Sequence, residues 1–146
     1  MNKSSVQAVM GEASRCALVM LENAAYIQGE LAKVRMSDAL RAQTEEACAA
    51  MIGTKHDIFS ELFELDELLG SGASAAVIRS RVDRIVRWFG EDIGRMHQLV
   101  MALQSACEQD RSCVAAYVLV AESAANILRA FNRTAAAADS LRNEDP

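Results

Sequence analysis

With two histidines, four cysteines and one tryptophan in 146 residues, the side chains able to do chemistry can be taken one at a time. His56 stands in Lys55-His56-Asp57, between the apolar-face positions Thr54 and Ile58. On a helix that spacing turns the imidazole outward. An exposed imidazole followed by an acid is the minimum chemistry for accepting a phosphoryl group, because the ring must be reachable and its tautomer held. His97 lies beside Met96 on the flank of its helix and about one heptad higher in the fold than His56, so the two are not expected to share a metal. Neither histidine has Glu or Asp three residues before it, as a di-iron bundle requires.

Cys16, Cys48, Cys107 and Cys113 show no Cys-x-x-Cys spacing and no neighbouring histidine, so neither zinc nor attached haem is expected. Reduced thiols are expected throughout, with Cys107 and Cys113 flanking a turn where oxidation brings a bridge within reach. No glycine-rich phosphate loop precedes a helix. The expectation is therefore no catalytic residue, no metal and no cofactor.

Charge is concentrated in one hairpin. Asp57, Glu61, Glu64, Asp66 and Glu67 crowd the C-terminal half of one helix, and Arg79, Arg81, Arg84 and Arg87 the N-terminal half of the next. Each block sits at the unfavourable end of its helix dipole, so mutual pairing across the turn is expected. Arg79, Asp83, Arg87, Glu91 and Arg95 alternate in sign at every fourth position, a pattern for an intrahelical ladder. Arg81, Arg84 and Trp88 share a neighbouring stripe, which makes them the candidate contact patch for an acidic protein partner or a phosphate group.

These residues must be positioned by long helices. The chain has 26 Ala, 7 Gly and a single Pro, a balance that favours helix over turn-rich β architectures. Val6, Met10, Ala13, Ala17, Met20, Ala24, Ile27, Leu31 and Val34 keep a 4-3 spacing and predict a helix over about 4–35. Ser37-Asp38 offers an N-cap, after which Leu40, Thr44, Ala47, Met51, Thr54, Ile58, Leu62, Leu65 and Leu69 predict a helix over about 38–69. Gly70-Ser71-Gly72-Ala73-Ser74 is the central turn. Ile78, Val82, Ile85, Phe89, Ile93, Met96, Val100, Leu103 and Cys107 predict a third helix over about 74–109. Val114, Val118, Ala121, Ala125 and Leu128 predict a fourth over about 112–141, with Tyr117, Val120, Ala124, Ile127 and Phe131 widening its apolar face.

Thr54-Ile58-Leu62 and Ile85-Phe89-Ile93 break the 4-3 rhythm with two steps of four, which reads as a pair of stutters at one level of the hairpin. Gly90 and Gly94 at the same level permit a bend or a close backbone approach. The tail Asn143-Glu144-Asp145-Pro146 is expected to fray.

The resulting fold is all-α, one domain over residues 1–146 built as an antiparallel up-down-up-down four-helix bundle. In architecture and in His56 it resembles histidine phosphotransfer domains, without the Lys-Gly pair that usually follows their histidine. Trp88-Phe89-Gly90 matches the Trp-x-Gly tripeptide of small secreted helical-hairpin proteins, but inside a heptad run instead of a turn.

Fifteen Lys and Arg against twenty Asp and Glu give a net charge of −5, which argues against nucleic acid as a partner. No secretory signal is expected at the N-terminus. The apolar stretch Ser112 to Ala121 stops at Glu122, so no membrane partner is expected and the location is read as cytoplasmic. The function expected is a non-enzymatic interaction or regulatory module that binds a protein partner, or itself as a homodimer, through helix faces. The alternatives are phosphotransfer at His56 and an apolar small ligand held within the bundle.

Overall fold

A computed structural model describes residues 1–144 of the chain. Four long helices, α1 (Lys3–Glu30), α2 (Asp38–Gly70), α3 (Ala75–Gln109) and α4 (Val114–Arg142), account for nearly all of it, with short 3-10 turns at Leu31–Lys33 and Arg111–Cys113. At 1.5 Å per residue each helix is about 42–52 Å long. Successive helices run antiparallel, and α1 packs on α2 and α4 while α3 packs on the same two. The fold is the all-α four-helix bundle.

Local sequence sets each boundary. The side chains of Asn2, Ser37 and Ser74 accept hydrogen bonds from the backbone amides of Ser4, Leu40 and Val77, capping α1, α2 and α3. At the central turn Gly72 takes φ +74°, which lets Ala73 N donate to Leu68 O at 3.0 Å and Gly72 N to Leu69 O at 3.4 Å. That is the Schellman arrangement, and a Gly is favoured where φ is positive. The first helix ends earlier than its periodicity predicts, because Val34 is extended and the Arg41 guanidinium on α2 takes the carbonyls of Leu31 and Val34 as acceptors. In the described part of the tail, beyond the end of α4 at Arg142, Asn143 N donates to Asp139 O, and Glu144 accepts from Asn2 N at 3.3 Å. Asp145 and Pro146 lie outside the described residues.

The core corrects the predicted seams in an instructive way. In α3 the buried residues are Ile78, Val82, Ile85, Phe89, Asp92, Met96, Leu99 and Leu103. Their 4-3 spacing never breaks, and the apparent stutter arises because an acid, Asp92, occupies the position next to Ile93. In α2 the seam likewise passes through Glu61, buried beside Leu62. In α4 the seam is Ala116, Val120, Ser123, Ile127, Ala130, Thr134, Ala138 and Leu141. The residues expected inside, Val114, Val118 and Leu128, are exposed. Small residues line the inner side of α4 where it meets α1 at Val9, Ala13, Ala17 and Ala24, and this helix pair makes the most extensive contact of the four. Within the α4 seam Ala116, Ser123, Ala130 and Ala138 are interspersed with Val120, Ile127 and Leu141, and the small positions let the two helices approach closely.

Candidate functional site

Arg81 and Arg84 are brought together, but on an acid of their own chain. Arg81 Nη1 lies 2.9 Å from Glu61 Oε1 and 2.6 Å from Glu64 Oε2, and Arg84 Nη1 lies 3.6 Å from Glu61 Oε2. The Glu61 side chain is only 6% exposed. Hydrogen bonding to Glu61, then to Glu64, raises the Arg81 guanidinium above its ordinary value. Trp88, the third member of the expected patch, is half-buried and packs against the core. The hairpin pairing expected from the charge blocks is present at these positions. The intrahelical ladder is not: Arg95 turns to Asp92 at 2.6 Å, and Asp83 pairs with Arg142 of α4 at 2.9 Å. Asp92 is a buried partner for Arg95 one turn away on the same helix, whereas the Asp83–Arg142 pair joins α3 to α4 at the surface with both side chains about half exposed.

A second polar group lies inside the bundle. Asp92 is 1% exposed, and its Oδ2 has no hydrogen-bond partner among the described residues. Burial raises the Asp92 carboxyl above the usual carboxylate range, opposed by the Thr54 hydroxyl on α2 and the Arg95 guanidinium, and reinforced by Glu91. Cys16 of α1 is close enough to feel that charge. Burial, with smaller contributions from Asp92 and Glu12 and against the Thr134 hydroxyl, pushes the Cys16 thiol up to about 12. Burial and Glu45 push Cys48 up to about 11. Both are protonated near neutral pH, and neither can serve as a thiolate nucleophile there. All four cysteines are free, so Cys107 and Cys113 are not bridged.

His56 is exposed on α2, as its spacing predicts, and no described residue hydrogen-bonds its ring. His97 is exposed on α3. Among the described residues no three His, Cys, Asp or Glu side chains converge as metal ligands would.

The feature that sequence reasoning missed is a groove on the outside of the bundle. It encloses about 450 Å³ between α3 and α4, floored by Met96, walled by Ile93, Val100 and Leu128, and opened by Gly90, Gly94, Ala121, Ala124 and Ala125, with His97 at its edge. The two glycines were expected to allow close backbone approach. Instead, a Cβ placed on either would meet nothing within 4 Å. Just past the Gly90 and Leu128 end of the groove, Phe89 and Phe131 meet edge to face, 6.5 Å between ring centroids, and fix the two helices against each other. Toward the Arg111–Cys113 turn a second hollow of about 410 Å³, lined by Gln104, Glu108, Val114 and Tyr117, continues along the same helix pair.

Among the described residues, four of the nine exposed large hydrophobic side chains, Met101, Val114, Val118 and Leu128, belong to this one face. On α4 the outward residues Val114, Val118, Ala121, Ala125 and Leu128 repeat at 4-3 spacing, the period of a helix-packing seam. The Arg111–Arg142 segment holds an 18-residue window apolar enough, by length and composition, to cross a membrane, so Glu122 does not end its apolar stretch as expected; 22% of that window is buried. The signal was present in the sequence as two interleaved apolar stripes on one helix, only one of which the bundle can bury. Comparison of the chain with known protein families, with curated proteins and with solved structures finds no match.

Proposed function

We propose that the chain is a non-enzymatic helical interaction module whose recognition surface is the outer face of α3 and α4. The observation that carries this reading is the pairing of an open, apolar groove with an exposed 4-3 stripe beside it. Contiguous exposed apolar surface is unusual on a protein that works alone, and helices recognise one another by laying such stripes into such grooves. The face that carries Arg81 and Arg84 supports recognition less well, because Glu61 and Glu64 already engage the cations. We read the outward stripe of α4 as protein-facing, since its inner stripe is committed to the bundle core.

A photo-crosslinking amino acid placed at Leu128 tests the reading in the cell of origin, with the same group at Leu18, exposed on α1, as the control. A protein adduct of discrete mass from position 128 and none from position 18 supports it. No adduct from position 128, or the same adducts from both positions, refutes it.

A further inference from the structure

Resting on that reading of the α3/α4 face, we infer that its occupant is a second copy of the chain, packed antiparallel along α3 with Arg87 opposite Glu108 and Met101 opposite Gly94 of the other copy. Residues 87, 94, 101 and 108 follow one another at heptad intervals and form one stripe of α3. That stripe points away from the buried one that runs through Phe89, Met96 and Leu103. When two copies of a helix meet across a two-fold axis, residues equidistant from the axis face each other. An axis midway between His97 and Gln98 pairs Arg87 with Glu108 and Gly94 with Met101, each pair occurring twice.

The chemistry of each pair is complementary. Arg87 and Glu108 are exposed charges of opposite sign, and neither forms an ion pair with another described residue. Met101 is 51% exposed and flexible, whereas Gly94 presents open space where a side chain would stand. Run antiparallel against the same stripe of a second copy, α3 gives both unpaired charges an opposite partner and seats Met101 in the open space at Gly94, so the surface is complementary to itself.

The size is adequate. The α3 stripe is about 30 Å long, and two helices side by side are about 20 Å wide. The projected footprint of about 600 Å² per copy, about 1,200 Å² over both, stands at the lower edge of the range for specific interfaces.

Sedimentation equilibrium of the full chain tests the inference. The wild type is expected to dimerise with a micromolar constant. Arg87→Glu sets two acids against each other at both ends of the contact and should weaken the dimer about tenfold, while Arg87→Glu with Glu108→Arg should restore it to within about twofold. Ala125→Arg, at an exposed position, should yield a monomer with unchanged circular dichroism. A wild type that stays monomeric at about 100 μM overturns the second copy as occupant and leaves the face open to another partner. A dimer that survives Ala125→Arg overturns both the inference and the reading of the face. Failure of the double charge swap to restore the dimer overturns the antiparallel pairing. Co-sedimentation of the wild type with phosphatidylcholine vesicles, lost in Ala125→Arg, would assign the face to lipid and overturn the inference as well.

Discussion

Arg81 on α3 reaches across the hairpin to Glu61 on α2, 2.9 Å from Nη1 to Oε1, and Arg84 approaches the other Glu61 oxygen at 3.6 Å. The acid is buried and the two cations are not, so the three residues are unequal in what their loss does. Removing Arg81 leaves a carboxylate in the protein interior with only the longer Arg84 contact, which costs more than the pair itself contributes. The expected order of destabilisation in urea is Arg81→Ala above Arg84→Ala. Glu61→Leu should cost less than Arg81→Ala because it leaves no buried charge. Equal midpoints for Arg81→Ala and Arg84→Ala would show that the shorter contact carries no special weight.

The same substitution at two glycines should have opposite signs. Gly72 is held at φ +74° in the central turn, and a side chain there is strained by about 1–2 kcal/mol. Gly94 is in the interior of α3 with nothing within 4 Å of an added Cβ, so Gly94→Ala should stabilise the fold by about 0.5–1 kcal/mol through the unfolded chain's lost freedom. Thermal denaturation of the two variants checks both signs at once. In the monomeric Ala125→Arg background, a destabilised Gly94→Ala would mean that something within the chain itself lies against Gly94.

Thiol accessibility follows from burial. Cys16 and Cys48 are buried with thiols pushed up to about 12 and about 11, Cys113 is buried, and Cys107 is half-exposed. Iodoacetamide at pH 8 should therefore label Cys107 in the native protein, and the other three only as fast as the fold opens. Peptide mapping after a short pulse reads the order directly. Rapid labelling of Cys16 would contradict its place in the core.

How much of this was legible in the sequence differs by residue. The helices were, because alanine content and 4-3 spacing both favour them and Ser37, Gly72 and Ser74 mark the ends. His56 was correctly read as outward-facing, since the seam on either side of it left no other direction. The register of α4 was not legible: Val118 and Val120 are equally apolar, and only the close approach of α1 decides that the side bearing Ala116, Ser123 and Ala130 goes inside. Nor were Glu61 and Asp92 legible as core positions. Hydrophobicity alone passes over an acid in favour of its apolar neighbour, and the arginines that make Glu61 tolerable inside come from another helix. The groove escaped because Gly90 and Gly94 look the same in sequence whether a backbone or empty space lies against them.

Asp92 gives the sharpest test of that buried-acid reading. Its carboxyl is raised above the 3.8 of the unfolded chain, chiefly by burial, so the folded protein holds the proton more tightly than the unfolded one does. The sign follows: the charged form costs stability above the folded value, the cost shrinks as pH falls through it, and it is gone below about 3.8. Asp92→Leu completes the apolar seam between Phe89 and Met96 and removes a buried charge whose Oδ2 has no partner, although it releases Arg95 to solvent. Replacing buried ionic groups with apolar ones is often stabilising by about 1–4 kcal/mol, and we expect the lower half of that range at pH 7. Urea unfolding of wild type and Asp92→Leu from pH 7 down to pH 4 should show the advantage of the variant declining as the wild-type carboxyl takes up its proton. An advantage independent of pH would assign the effect to packing. A destabilised variant at pH 7 would mean that the Arg95 contact outweighs the burial of the acid.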